Sequence, residues 1–342
     1  MLRLLLCDSC TNSAWTYCAF SVACQAIGTK EYLNQLFRIT HLSDLHVLSP
    51  AGFEWRRMLF NKRITGYANL LVHRGRVYRR DYLRAVLAAA VTQADHVVVT
   101  GDITNLSLES EYEAARALLD EVARSVEVSV VPGNHDIYLP AIHRARRFPY
   151  HFGAFLRSDL SQFARDLPAG PFPYVKLRGP VAIIGLSSAV PRPPFVSAGF
   201  LGQVQLAALA ELLAHPEVAR RTPVLLIHHP PVDARWPIVR LRDGLVDAAA
   251  LRRTLQGLSH GLVLYGHTHV RVRCRLPTAS GTLDVVSASG AALDHPDDAV
   301  RAGLNRYGFD DDGRIVSVDS HVIDPSGQGL RLTAIPERRS CL

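Results

Sequence analysis

The stretch Val126-Glu-Val-Ser-Val-Val-Pro-Gly-Asn-His-Asp136 decides how the rest of the chain is read. Val126–Val131 is rich in β-branched residues and reads as a buried strand, which Pro132 and Gly133 stop. Asn134, His135 and Asp136 follow at once. The same grammar appears on either side. Upstream, Phe37–Leu42 runs into Ser43-Asp44-Leu45-His46, and His96–Thr100 runs into Gly101-Asp102. Downstream, Val224–Ile227 runs into His228-His229-Pro230-Pro231, and Leu262–Tyr265 into Gly266-His267-Thr268-His269. Further strands are expected over Val181–Leu186, Leu283–Ala288 and Ile315–Val322. Helices are expected over Tyr82–Ala94, Glu109–Ser125 and Gln203–Leu213. The alternation of short β-branched runs with longer helical ones predicts an α/β domain. Five strands each hand an Asp, Asn or His to the loop at their carboxyl end, which is the edge where open α/β sheets bind ligands.

Composition narrows the class. The chain has 342 residues, 48% hydrophobic and 20% charged, enough for one large domain or two small ones. No apolar run approaches the roughly 18–20 residues that a bilayer-crossing helix needs. Four of the six cysteines (Cys7, Cys10, Cys18, Cys24) fall in the first 24 residues, far from the motifs, and a disulfide framework is not expected in a chain with a core this large. The Cys7–Cys10 pair suggests a zinc knuckle, but the Cys18–Cys24 spacing is wrong for one. Residues 1–36 therefore read as a disordered extension, 37–324 as the domain, and 325–342 as a loose tail.

Asp44, His46, Asp102, Asn134, His228, His267 and His269 mix hard oxygen donors with imidazoles. Such a mixture suits Mn, Fe or Zn better than Ca or Mg. Seven donors are too many for one tetrahedral ion and suit two divalent ions sharing a carboxylate. With two aspartates and a bridging hydroxide, two such ions leave a small positive charge that attracts a phosphate oxygen. Either of the adjacent His228 and His229 can face the ions; His228 is favoured because it directly ends its strand. Asp136 reads either as a carboxylate holding a ligand histidine or as a cap on the following turn. The other histidines read as ordinary core or surface residues.

The ordered series Asp-x-His, Gly-Asp, Gly-Asn-His-Asp, His-His-Pro-Pro and Gly-His-x-His, over about residues 37–270, resembles the metallophosphoesterase (calcineurin-like) superfamily. The versions here are more similar to its bacterial phosphodiesterase branch than to its protein phosphatases. The resemblance implies a four-layer αββα sandwich of two mixed sheets with the metals at the strand ends. It implies that Asp44, His46 and His269 hold one ion, that Asn134, His228 and His267 hold the other, and that Asp102 bridges them. His135 takes the position of the histidine that touches the phosphate and protonates the leaving oxygen, making it the catalytic candidate. Many relatives orient that histidine with an acid three positions after the Gly-Asp aspartate; here the position holds Asn105.

The formal charge of +7 is uneven. Between Trp55 and Arg84 nine Lys and Arg face a single acid, Asp81, so the remainder of the chain is close to neutral. The stretch from Asp44 to Asp102 spans 58 positions, longer than a direct strand–helix–strand crossover needs. The surplus, about residues 52–80, carries Phe60, Ile64, Tyr67 and Leu71 at helical spacing among basic residues. It reads as a basic cap that either packs on the domain or meets an anionic membrane surface. It also resembles an insert in the metallophosphoesterases that cleave UDP-2,3-diacylglucosamine. The expectation is hydrolysis of a phosphodiester or pyrophosphate bond, on an amphiphilic lipid precursor or another phosphate-containing small molecule. A cyclic-nucleotide phosphodiesterase and a metal-bound scaffold protein are the alternatives. Nucleic acid is not an expected partner, and the expected location is cytoplasmic, peripheral on the inner face of the membrane.

Overall fold

The computed structural model describes residues 36–48, 78–232, 237–326 and 329–338. The expected extension, all but its last residue, and most of the basic cap lie outside these residues. Residues Asn34–Leu342 form one compact unit.

Fourteen strands are described: β1 Phe37–Leu42, β2 His96–Val99, β3 Glu127–Val130, β4 Arg165–Leu167, β5 Gly170–Phe172, β6 Tyr174–Arg178, β7 Val181–Gly185, β8 Thr222–Leu226, β9 Leu262–Tyr265, β10 Val272–Pro277, β11 Thr282–Ser287, β12 Gly303–Phe309, β13 Ile315–Ile323 and β14 Leu330–Thr333. They make two six-stranded sheets, ordered β14-β13-β12-β1-β2-β3 and β10-β11-β9-β8-β7-β6, and a small β4-β5 hairpin. Both large sheets are mixed. The motif strands β1, β2 and β3 run parallel, as do β7, β8, β9 and β11, while β12, β13, β14, β10 and β6 join antiparallel.

Side-chain alternation sets the layers, because successive residues of a strand face opposite sides. In β8 and β9, Val224, Leu226, Leu262 and Leu264 join the core shared with the first sheet. Their neighbours Leu225, Val263 and Tyr265 instead join a second core with Leu206, Leu209 and Leu212 of helix α5 (Gln203–Leu213) and Leu251 of α8 (Ala248–Thr254). On the other side, Leu83, Val86 and Leu87 of α1 (Arg80–Ala90) and Ala115, Leu119 and Val122 of α2 (Glu109–Ala123) pack with the first sheet. The fold is thus an α/β sandwich of two mixed sheets flanked by helices. Short helices α3 (Pro140–Arg144), α4 (Arg147–Phe152), α6 (Pro216–Ala219) and α7 (Pro237–Asp243) complete the described α-helices.

One expectation changes. The tail is not loose among its described residues: β14 pairs with β13, and Glu337 bridges to Arg273 at the edge of the other sheet. Its Gly and Arg content hid a strand whose partner supplies the order. Cys274 on β10 is disulfide-bonded, and its partner lies outside the described residues; one such bond is not a framework, but the thiol is not free.

Candidate metal centre

Main-chain pairing continues past the strand ends and locks the motif loops together. Asp44 N–H donates to Gly101 O at 2.9 Å, His46 N–H to Asp102 O at 2.9 Å, and Gly266 N–H to His228 O at 3.1 Å. The glycines of the motifs are there for closeness. A Cβ on Gly266 would stand 1.8 Å from Ser43 Oγ, and one on Gly133 would stand 2.2 Å from Asp102 Oδ1. Among the described non-glycine residues nine have positive φ, and five of them are Asp44, His46, Asp102, His267 and His269. Left-handed backbone of this kind costs free energy and persists where the surrounding pairing over-determines it.

The structure brings all seven metal-ligand candidates to one place. His269 Nε2 lies 3.0 Å from Asp44 Oδ1 and 3.3 Å from His46 Nε2. Opposite them, Asn134 Oδ1 lies 3.2 Å from His228 Nε2 and 3.0 Å from His267 Nδ1. Asp102 stands between, its Oδ2 3.4 Å from His228 Nε2 and 3.9 Å from His46 Nε2. Its Oδ1 accepts the His135 N–H at 2.8 Å. Asp44 Oδ1 is buried; beyond its approach to His269 Nε2 it accepts no hydrogen bond. Buried oxygens without a donor are rare in folded proteins and point to an ion or water. A shared carboxylate, imidazole nitrogens facing one another and a carboxylate oxygen without a hydrogen bond fit two divalent ions, with Asp44, His46, Asp102 and His269 around one and Asp102, Asn134, His228 and His267 around the other.

The electrostatics agree. Burial would raise the Asp44 carboxyl, yet the facing His269 holds it well below the usual carboxylate range. Burial likewise opposes ionisation of Asp102, and the surrounding histidines, His228 first, win. His228 resists burial through Asp102 and is pushed up to about 9. His267 is pushed down to about 4 by burial and by His228. The protein groups alone favour a proton on His228, which an ion bound there would displace.

His229 lies near His228 and His267, but both of its ring nitrogens are committed elsewhere. Nε2 is 2.7 Å from Ser197 O, and Nδ1 is 2.8 Å from Ser188 Oγ. Its place is to support the wall beside His267, whose ring centroid is 4.6 Å away. His228 Nδ1 donates to Thr100 O at 2.8 Å, which turns Nε2 toward the centre.

His135 is buried, its ring 5.0 Å from that of His46. Its Nδ1 donates to the main-chain carbonyl of Asn105 at 2.5 Å. The residue where relatives carry an acid therefore still meets the histidine, through a peptide oxygen that needs no particular side chain. Asp136 holds no ligand histidine. It accepts N–H groups of Gly133, Ile103 and Thr104 at 2.9, 3.1 and 2.7 Å, and so clamps two motif loops together.

Sequence reading missed four contributors. Tyr78 OH lies 3.3 Å from His269 Nδ1; Thr100 orients His228; and Ser188 and Ser197 hold His229. None sits in a motif, and peptide carbonyls carry no sequence signal at all.

A search of curated proteins finds no match. Among solved structures the chain is similar to a dimetal phosphatase from Danio rerio (15% identity, 80% of this chain and 92% of that chain, TM-score 0.49). It is similar also to the purple acid phosphatase PPD1 of yellow lupin, Lupinus luteus (12% identity, 83% and 53%, TM-score 0.45), and to the sulfate thiohydrolase SoxB of Termus thermophilus (16% identity, 86% and 58%, TM-score 0.46). The family model described as calcineurin-like phosphoesterase matches residues 37–271, the span that holds all seven metal-ligand candidates and His135, and the chain belongs to that family.

Proposed function

We propose that the protein is a dinuclear-metal phosphohydrolase that cleaves a phosphodiester or pyrophosphate bond. The observation that carries this is the placement of Asp102 Oδ2 between two groups of nitrogen and oxygen donors. Two divalent ions held there, Mn, Fe or Zn by donor type, supply the Lewis acidity that activates water and polarises a phosphoryl oxygen.

The chain's own residues do the rest. Hydrolysis breaks one P–O bond, delivers the oxygen of water to phosphorus and leaves an oxygen that needs a proton. The Nδ1 of His135 donates to Asn105 O, so its Nε2 is the nitrogen from which that proton comes. Asp102 Oδ1 fixes the His135 main chain, tying the acid to the bridging carboxylate. The basic run before Arg84 and the likeness of the Asp44–Asp102 insert to that of lipid-precursor hydrolases support an amphiphilic substrate of the bacterial phosphodiesterase branch, met at an anionic membrane surface on the cytoplasmic side.

The test is hydrolysis of bis-p-nitrophenyl phosphate and p-nitrophenyl phosphate by the Mn-loaded full chain, with Asp102→Ala as control. Turnover of the diester, abolished together with binding of the second metal equivalent in the variant, is expected. Two bound metals with neither ester cleaved would overturn the enzyme reading in favour of a scaffold.

A further inference from the structure

A histidine that gives up a proton needs its ring plane held, because a tilt carries Nε2 away from the departing oxygen. The rotamer does not supply this: rotation about χ2 of histidine is broad, so packing sets the plane. In His135 the Nδ1 hydrogen bond to Asn105 O anchors one atom of the ring. The ring of Tyr138 lies along it, with centroids 5.5 Å apart and planes within 23° of parallel, an offset stack. The ring of His46 stands almost at right angles to the imidazole, at 5.0 Å and 86°.

Tyr138 is buried, yet it joins neither of the two large cores. With Leu106 it forms a cluster of its own, against which Leu108 and Leu139 pack. That cluster ties the loop after β2 to the loop after β3, the two loops that carry Asp102 and Asn134. Hydrogen bonds to the main chain set its place. Tyr138 N–H donates to Ser107 Oγ at 3.1 Å, and that hydroxyl donates to His135 O at 2.6 Å. Thr104 Oγ1 donates to the same carbonyl at 3.2 Å. Ser107 itself has a φ of 52–53°, the left-handed backbone that a serine adopts at a cost. One strained serine thus fixes the main chain at both ends of the turn, and the two side chains, three positions apart, meet ring on ring. Any apolar side chain at 138 would bury surface against Leu106; only a flat one gives the imidazole a parallel wall.

We infer that Tyr138 is a positioning residue for His135: its ring holds the imidazole in the plane that aims Nε2 at the leaving oxygen. This rests on the phosphohydrolase reading above. Tyr138 acts only through His135, so its share of the reaction is confined to leaving groups that need a proton.

The experiment assays the Mn-loaded full chain on diethyl phosphate, whose leaving oxygen must be protonated, and on bis-p-nitrophenyl phosphate, whose leaving group departs as a stable anion. Tyr138→Leu should lower kcat for diethyl phosphate by roughly ten- to a hundredfold with KM little changed, and much less for the p-nitrophenyl ester. Tyr138→Phe keeps the flat ring and should restore the rate. In a His135→Ala background Tyr138→Leu should cost nothing further, since no acid is left to position. Equal losses on the two esters, a loss that persists without His135, or a Phe variant as slow as the Leu variant would each overturn the inference. A second arm, free of turnover, reads the His135 Cε1–H resonance in the Zn-loaded full chain, identified by its absence in His135→Ala. The ring current of Tyr138 should hold it upfield; it should move downfield in Tyr138→Leu and stay in Tyr138→Phe. A resonance indifferent to Tyr138→Leu overturns the inference as well. If no ester is cleaved while the resonance responds as expected, the hydrolase reading fails and the hold of Tyr138 on His135 stands.

Discussion

Asp102 presents two oxygens with different tasks, one toward the metal donors and one toward the His135 main chain, so at the scale of single residues the proposed reaction ties metal binding to the acid. His135→Ala should lower kcat by about 10²–10⁴-fold for an alkyl leaving group, where the departing oxygen needs a proton. With p-nitrophenol, which leaves as a stable anion, the loss should be much smaller; equal losses for both would mean that His135 is no acid. Asp136 supplies a pH test. Burial and the neighbouring Asp102 push it up to about 7, against the main-chain donors that favour its anion. A carboxyl raised in the folded state contributes stability that is complete below its unfolded value, about 4, and is lost as pH rises through its folded value. In the metal-free protein the urea midpoint should therefore fall between about pH 4 and 7 more in the parent than in Asp136→Asn. Loading the metals, which neutralises Asp102, should shrink that difference. Parallel curves for the two proteins would refute the assignment.

At the scale of elements, α2 does more than cover the first sheet. Glu111 in its first turn is buried, and its Oε2 accepts the N–H groups of Asn105, Leu106 and Leu108 at 3.3, 2.7 and 3.2 Å. Those residues form the loop whose Asn105 carbonyl holds His135. Glu111→Ala leaves buried donors without a partner and should cost about 3 kcal/mol in urea unfolding. It should also lower diester turnover, because the carbonyl that orients His135 loses its support. Stability lost with turnover intact would show that the loop holds its shape from the His135 side alone. The helix itself was legible in sequence, from Glu109 onward. The reach of Glu111 back over its own N-terminus was not, since that depends on a loop conformation which the apolar pattern does not encode.

At the scale of the molecule, the metal centre joins two sheets. Asp44, Asp102 and Asn134 come from the loops after β1, β2 and β3, while His228, His267 and His269 follow β8 and β9 of the other sheet. Ions bridging them stabilise the packing of one sheet on the other and bind only the folded chain. Each ion at a hundredfold excess over its Kd should add about 2.7 kcal/mol. Chelation should therefore lower the melting temperature by several degrees, at about 2–4 °C per kcal/mol for a chain of this order of size. Mn returned in excess should restore it. A melting temperature indifferent to chelator would mean that the sheets hold the cluster without ions.

The sequence by itself determined the α/β class, the three longer helices, the motif strands to within a residue or two at most ends, and the residues that converge. Those rest on local patterns: β-branched runs, helical periodicity, and the residue that follows each strand. Tertiary structure alone decided the rest. β12, Gly303-Leu-Asn-Arg-Tyr-Gly-Phe309, reads as broken because of its glycines and polar residues, yet it pairs with β1 across most of the chain and occupies the middle of its sheet. β14 lay in a tail expected to be loose for a similar reason. The sequence already favoured His228 over its neighbour; what holds His229 away, Ser188 Oγ and Ser197 O on a distant loop, only the fold shows. The place of Tyr78, bridged to Leu293 and 3.3 Å from His269 Nδ1, came from segments that meet only in the folded chain. Local patterns specify which side chains a segment offers; long-range pairing and main-chain carbonyls specify which of them face one another.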